Sequence, residues 1–343
     1  MVEEPDQNIF KQRQQLQDMA HCYRKSQILL TCVELGVFDS LTKGSKFAAE
    51  VAADIGVDAH AAELLFNAAA AIGLLEKREN CYRNSELAET HLTQNAAGNM
   101  ARRLKLEGAF YRRWGRLIDA VRTGRRPEEN CSDEQPEDWV RTFIYGLYDT
   151  ARTIAPVIAE LLCLPEDQPL RVLDIGGGHG GYCIALAQRY PLLTATVFEL
   201  PRVVPVAREI IAQAGLQERI AVQEGDFHQD TLGSGYDAAL IFGVLNGEPR
   251  EDKPVLFRKV FSALNPGGQI VLREFVLGPD RASPPQAAIF ALQMLLTTEA
   301  GGLDTSDDWA EWLVLAGFAL PQQIELPPWI GSSLTIARKP STQ

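Results

Sequence analysis

The sequence is short of everything that would mark a metalloprotein, a disulfide scaffold or a membrane protein. Its six cysteines (Cys22, Cys32, Cys81, Cys131, Cys163 and Cys183) form no C-x-x-C pair, and no cysteine–histidine cluster has zinc-ligand spacing. Scattered reduced thiols in a cytoplasmic protein, with no metal, are the expectation. The start, MVEEPDQN, is acidic and lacks the basic stretch and apolar run of a signal peptide. No apolar run reaches the roughly 18 residues that cross a bilayer. Positive charge is also scarce. The formal net charge is -12, which repels nucleic acid and anionic membranes in the absence of a local basic patch. There is no internal repeat and no low-complexity tract.

What is present is a globular composition. Of 343 residues, 46% are hydrophobic and 23% charged, enough for two domains with their own cores. Residues 8–35 carry Leu16, Met19, Ile28, Leu29 and Val33 at helical spacing, and Gly36 ends that helix. The following segment reads as a short helix, a turn at Gly56, a second helix and a small hairpin around Glu79-Asn80, which is a winged-helix pattern. A winged helix raises the possibility of DNA binding. The second helix, across His60–Leu75, offers Ala, Leu, Phe and Ile but no Lys or Arg to meet phosphates. Such an apolar surface suits a partner chain better.

Residues 100–126 are locally basic, which reads first as a solvated helix face and second as attraction for an acidic substrate. Residues 127–138 read as a polar, acidic loop. A helix from about Trp139 to Cys163 leads to PEDQP, an interdomain linker candidate. The domain expectation is therefore 1–100, a connecting and substrate-pocket region at 101–165, and a second domain at 166–343. From Leu170 onward, short strands rich in Val and Ile (RVLDI, ATVFEL, IAVQEGD, YDAALIFG, QIVLREFV) alternate with helices. That alternation predicts an α/β fold with a parallel sheet covered on both faces.

The segment RVLDIGGGHGGY, residues 171–182, runs from a strand through a glycine-rich turn into a helix. Glycines there permit a tight turn and close ligand approach. Glu199, at the end of VFEL, stands where a carboxylate can accept from both ribose hydroxyls. Gly176, Gly178 and Gly181 satisfy G-x-G-x-x-G, so NAD is an alternative at this point. Three features favour S-adenosylmethionine (SAM). Asp174 lies two residues before the first glycine, where a carboxylate suits an amino group better than a pyrophosphate. Asp226 and Phe227, in EGDF, offer an acceptor and a ring for adenine. YDAALIFGVL and LNPGGQIVLRE follow at the spacing of a methyltransferase sheet.

With these motifs in place, the chain resembles the class I SAM-dependent O-methyltransferases of the acetylserotonin and plant caffeate type. The resembling segments are SQILLTCVELGVFDSL, DIGGGHGGY, FELPRVV, EGDF, LNPGG and the stretch from PPQAAIF to VLAGF. The resemblance implies a winged-helix dimerisation domain before a Rossmann-like SAM-binding domain, a homodimer, and a small-molecule acceptor. It carries cofactor contacts onto Gly176, Gly178, Glu199, Leu200, Asp226 and Phe227. It breaks down at catalysis. Where the family has its general-base histidine this chain has Asn246, and an amide cannot take a proton near neutral pH. Leu303 stands where an acidic residue is expected. His179, His228, His21, Glu299 and Glu274 are the other candidate bases. Tyr145, Tyr148, Phe290, Met294 and Trp329 are candidates for an aromatic pocket. Two functions stay open: methyl transfer by proximity without the usual base, most naturally to oxygen of an aromatic or polyketide-like acceptor, or a lyase, isomerase or hydroxylase that uses SAM as a fixed positive charge.

Overall fold

The computed structural model describes residues 7–96, 98–127 and 139–341. The acidic loop expected at 127–138, with Cys131, lies outside the described residues from 128 onward. The chain divides into two compact units, Met1–Ala109 and Phe110–Gln343. Residues 110–165 fall within the second of these units.

The first unit begins with the long helix α1 (Gln7–Glu34) and the single turn α2 (Val37–Ser40). Strand β1 (Lys46–Phe47) leads into α3 (Ala48–Ile55), which stops at Gly56 in the left-handed conformation. Helix α4 (Ala59–Ala71) starts where Asp58 accepts from the Ala61 amide at 2.8 Å, satisfying a donor the helix cannot. Strands β2 (Leu75–Arg78) and β3 (Cys81–Asn84) form the hairpin, and β3 pairs with β1. Helices α5 (Glu86–His91) and α6 (Ala101–Trp114) follow. Phe38, Phe66 and Tyr82 are fully buried at the centre of this winged-helix core.

The second unit continues with α7 (Leu117–Thr123) and α8 (Trp139–Leu161). It then alternates β4 (Leu170–Ile175), α9 (Gly181–Arg189), β5 (Leu193–Glu199), α10 (Val204–Gln213), β6 (Ile220–Glu224) and β7 (Tyr236–Phe242). Helix α11 (Lys253–Ala263), β8 (Leu264–Glu274), α12 (Pro285–Thr297), α13 (Ser306–Leu315), β9 (Gln322–Glu325) and β10 (Ser333–Arg338) complete it. The seven strands lie in the order β6-β5-β4-β7-β8-β10-β9.

β4 through β8 are parallel, as the alternation predicts, but β10 runs antiparallel to both β8 and β9. The sheet is therefore mixed, a common ending for a doubly wound fold. Its two faces carry separate cores. One, with Val172, Val197, Leu240 and Val271, meets α8, α9 and α10. The other, with Leu173, Ile241 and Leu272, meets α11 and α13. Adjacent residues of a strand point to opposite faces, so Asp174 belongs to the first face, level with Val197 and Leu240.

Candidate active site

Strand ends β4, β5 and β7 converge on the glycine loop, the edge where open α/β sheets take ligands. Gly176 has φ +64°, and a Cβ there would meet Val244 Cγ2 at 2.6 Å. The loop packs too closely on the segment after β7 to tolerate a side chain. The Gly176 amide donates to the Phe198 carbonyl at 2.9 Å. Glu199 is half-buried and anchored by two amides, Gly178 to Oε1 at 3.1 Å and Leu200 to Oε2 at 2.7 Å. Burial pushes its carboxyl up, and the two amides pull it partly back.

Asp174 is fully buried. Oδ2 accepts from Cys183 Sγ at 3.4 Å, while Oδ1 has no partner among the described residues. Burial raises its pKa to about 7. A buried acceptor with nothing to accept from is costly, and this one sits directly under the glycine loop. His179, weighed above as a base, uses Nδ1 to accept from the Gly181 amide at 2.9 Å. Burial, then the charge of Arg273, lower its pKa to about 4. It is a neutral loop-shaping residue.

The segment after β6 is braced from both sides. Asp226 accepts from the His228 amide at 2.9 Å and from Gln229 Nε2 at 3.0 Å. Lys259 on α11 donates to the carbonyls of Phe227 and His228 at 2.7 and 2.8 Å. Phe227 is half-buried and packs against the core on the α11 face. His228 Nε2 pairs with Glu248 at 2.8 Å. A cavity of about 250 Å³ opens here, lined by Phe227, His228, Leu245, Glu248 and Lys253 among others.

Asn246 lies in a 3₁₀ turn (Leu245–Gly247) and is 2% exposed, with neither its amide oxygen nor its side-chain nitrogen hydrogen-bonded to any described residue. Its backbone is held tightly. Glu274 Oε1, at the end of β8, accepts from the amides of Val244 at 2.7 Å and Leu245 at 2.8 Å. The Gly302 amide donates to the Asn246 carbonyl at 3.1 Å. Buried Lys253 pairs with Asp304 at 2.5 Å, next to that loop. Burial raises Glu274 to about 7, against the pull of the two amides, Lys253 and Arg273. Its place is to anchor the Asn246 turn. Glu274→Ala leaves two amides without their acceptor, at about 1–3 kcal/mol each. We expect turnover to fall roughly 30-fold while calorimetry shows SAH affinity almost unchanged.

The remaining candidates separate. Tyr148 reaches the glycine loop, its ring 5.6 Å from that of His179. Tyr145 donates its hydroxyl to Glu209 on α10 at 2.9 Å and accepts from Gln213, so that hydroxyl braces α8 against α10. Phe290 and Met294, on α12, group with Leu277 and Leu303 in a small apolar cluster, and Phe290 stacks on Phe275 at 4.4 Å. Trp329 and Glu299 are exposed, and His21 is exposed on α1 of the first unit. Sequence reasoning missed Arg273, Tyr182 and the Lys253–Asp304 pair. The one available signal was an Arg-Glu pair closing an otherwise apolar strand.

This set of acceptors suits SAM. Asp174 Oδ1 has no partner among the described residues, each Glu199 oxygen accepts one amide, and the Gly225 amide ties the Asp226–Phe227 segment to the Glu199 carbonyl at 2.9 Å, so a cationic donor and a diol would fit these acceptors. Comparison with known proteins agrees. Residues 131–319 match an O-methyltransferase domain and residues 17–94 an O-methyltransferase dimerisation domain. A 3-hydroxy-5-methyl-1-naphthoate 3-O-methyltransferase of Streptomyces sahachiroi is 32% identical over 311 residues, covering 88% of each chain. The crystal structure of human N-acetylserotonin methyltransferase in complex with SAM superposes with a TM-score of 0.84 at 30% identity, covering 99% of this chain and all (100%) of that one. PigF with SAH gives 0.84 at 25% identity, over 95% and 99%. The chain is a member of the SAM-dependent O-methyltransferase family.

Proposed function

We propose that the protein transfers a methyl group from SAM to a hydroxyl of a small aromatic or polyketide-like acceptor, as a cytoplasmic homodimer of secondary metabolism. The observation that carries the reading is Asn246: a buried amide whose two polar atoms have no partner among the described residues, in a turn locked in place beside the glycine loop. SAM supplies an electrophilic methyl on a sulfonium. Asp174, Gly176, Gly178, Glu199, Leu200, Asp226 and Phe227 hold it. Asn246 orients the acceptor oxygen by hydrogen bonding and takes no proton. The rate then comes from holding acceptor and methyl in line, and an acceptor that is already ionised needs no base. Tyr148, Phe290 and Met294 are offered as acceptor-side residues, and Tyr145 as support through α8.

The dimerisation domain and the exposed Ile9, Phe10, Leu16 and Met19 on α1 support a homodimer. No described helix is long and apolar enough to cross a membrane, and α4 carries no Lys or Arg to meet DNA phosphates. Use of SAM only as a fixed charge is not favoured, since the relatives are methyltransferases. The test is to incubate the protein with SAM and a panel of naphthols and hydroxynaphthoates. One SAH formed per acceptor that gains one methyl supports the reading. Acceptor conversion without methyl gain sinks it.

A further inference from the structure

The methyl-transfer reading leaves one charge without a purpose. Arg273 is the penultimate residue of β8 and stands opposite Phe242 of β7. Leu240, two residues before Phe242, pairs with Asp174, so Arg273 projects from the same sheet face as Asp174, two strands away and nearer the ligand-binding edge. Strand spacing puts β4 and β8 roughly 10 Å apart. This is the face on which Tyr182, Phe242 and the neutral His179 lie.

A guanidinium has five N–H donors. Nη1 donates to the Tyr182 hydroxyl at 3.0 Å, a neutral acceptor, and Nε is buried with no partner among the described residues. Among the described residues no carboxylate forms an ion pair with it. The surrounding rings are Tyr182, whose centroid is 5.9 Å from the guanidinium carbon, and the packed pair Tyr182–Phe242 at 4.7 Å. An arginine in such a setting ordinarily has an anion. Other half-buried arginines here do: Arg141 is held by Glu209 at 2.6 Å and Arg189 by Glu160 at 2.8 Å.

From this geometry we infer that Arg273 is a carboxylate-binding residue at the rim of the active site, facing a ligand that brings the missing anion. Two ligands of this enzyme can bring one. The methionyl end of the cofactor carries an α-carboxylate beside the ammonium assigned to Asp174. An aromatic acceptor can carry a carboxylate on its ring.

Calorimetry on Arg273→Ala, Arg273→Gln and Arg273→Lys separates the cases. Wild-type binding of SAH is the control for the cofactor reading itself. If the cofactor is the source, SAH binds about 20-fold more weakly to the Ala and Gln variants. 5′-Methylthioadenosine, which lacks the amino-acid end, binds as before, and Lys recovers part of the loss. If the acceptor is the source, SAH affinity holds. Binding of 1-naphthoate to the SAH-saturated protein is then lost in the variants while 1-naphthol binding stays. A residue that merely stacks on Tyr182 gives neither pattern. Equal weakening of SAH and 5′-methylthioadenosine, or no change in SAH and no Arg273-dependent naphthoate binding, overturns the inference.

Discussion

Asp174→Ala is expected to weaken SAM and SAH binding by about 100-fold, the upper range for removing a charge-assisted hydrogen bond in a dry site. The buried carboxylate has one oxygen with no partner among the described residues, and its pKa is raised from the ordinary 3.8 to about 7. Burial is the leading cause. The sign of the pH dependence follows. Below about pH 7 the ligand-free protein keeps the Asp174 proton, whereas an ammonium needs the ionised form. Affinity should therefore fall as pH drops from 8 to 6, and SAH binding at pH 6 should release a proton that calorimetry in buffers of different ionisation enthalpy detects. Stability runs the other way. A folded pKa above the unfolded one gives stabilisation that is complete below about 3.8 and lost as pH rises through about 7. Asp174→Asn should thus melt higher than wild type at pH 8 without ligand, while binding SAH poorly. An Asn variant with undiminished SAH affinity and unchanged pH dependence would remove Asp174 from the cofactor site.

The second large effect concerns Asn246. Asn246→Ala should lower turnover about 100-fold, through loss of acceptor orientation, with SAH affinity within twofold of wild type. Asn246→His restores a group able to take a proton. For a weakly acidic phenol it should raise turnover, toward the ~10²–10⁴-fold typical of general-base catalysis. The pH profiles discriminate further. In the wild type, kcat/KM should rise with ionisation of the acceptor, so the midpoint moves when a naphthol of different acidity is used. In Asn246→His a midpoint belonging to the enzyme should appear. Two acceptors of different acidity giving one wild-type midpoint would show that a protein base is at work after all.

Much of the fold was legible because it is written in local periodicity. The winged-helix unit, α8 and the strands β4 to β8 all follow from apolar spacing, glycines and β-branched runs. β9 and β10 were not read. They lie among turns such as Leu326-Pro327-Pro328, and the antiparallel direction of β10 depends on its partner strands, which no local pattern states. The site shows the same division. Gly176, Glu199 and Asn246 could be placed by motif. That Asn246 is buried with both polar atoms free, or that Tyr145 spends its hydroxyl on Glu209, depends on residues dozens of positions away. Glu274 was visible as a carboxylate, but its bond to the Val244 and Leu245 amides joins segments 29 and 30 residues apart.

The last two residues of β8 divide the labour of the site between them. Arg273 emerges toward Tyr182 and Glu274 toward the Asn246 turn, because neighbours in a strand face opposite ways. A slip of β8 by one position against its neighbours would exchange them. A guanidinium would then confront two amide donors, and a carboxylate would enter the aromatic face. Insertions or deletions in this strand are therefore closed as a route to new acceptors. Change at this strand end is confined to point replacement at 273, with 274 kept fixed so that the Asn246 turn stays where it is.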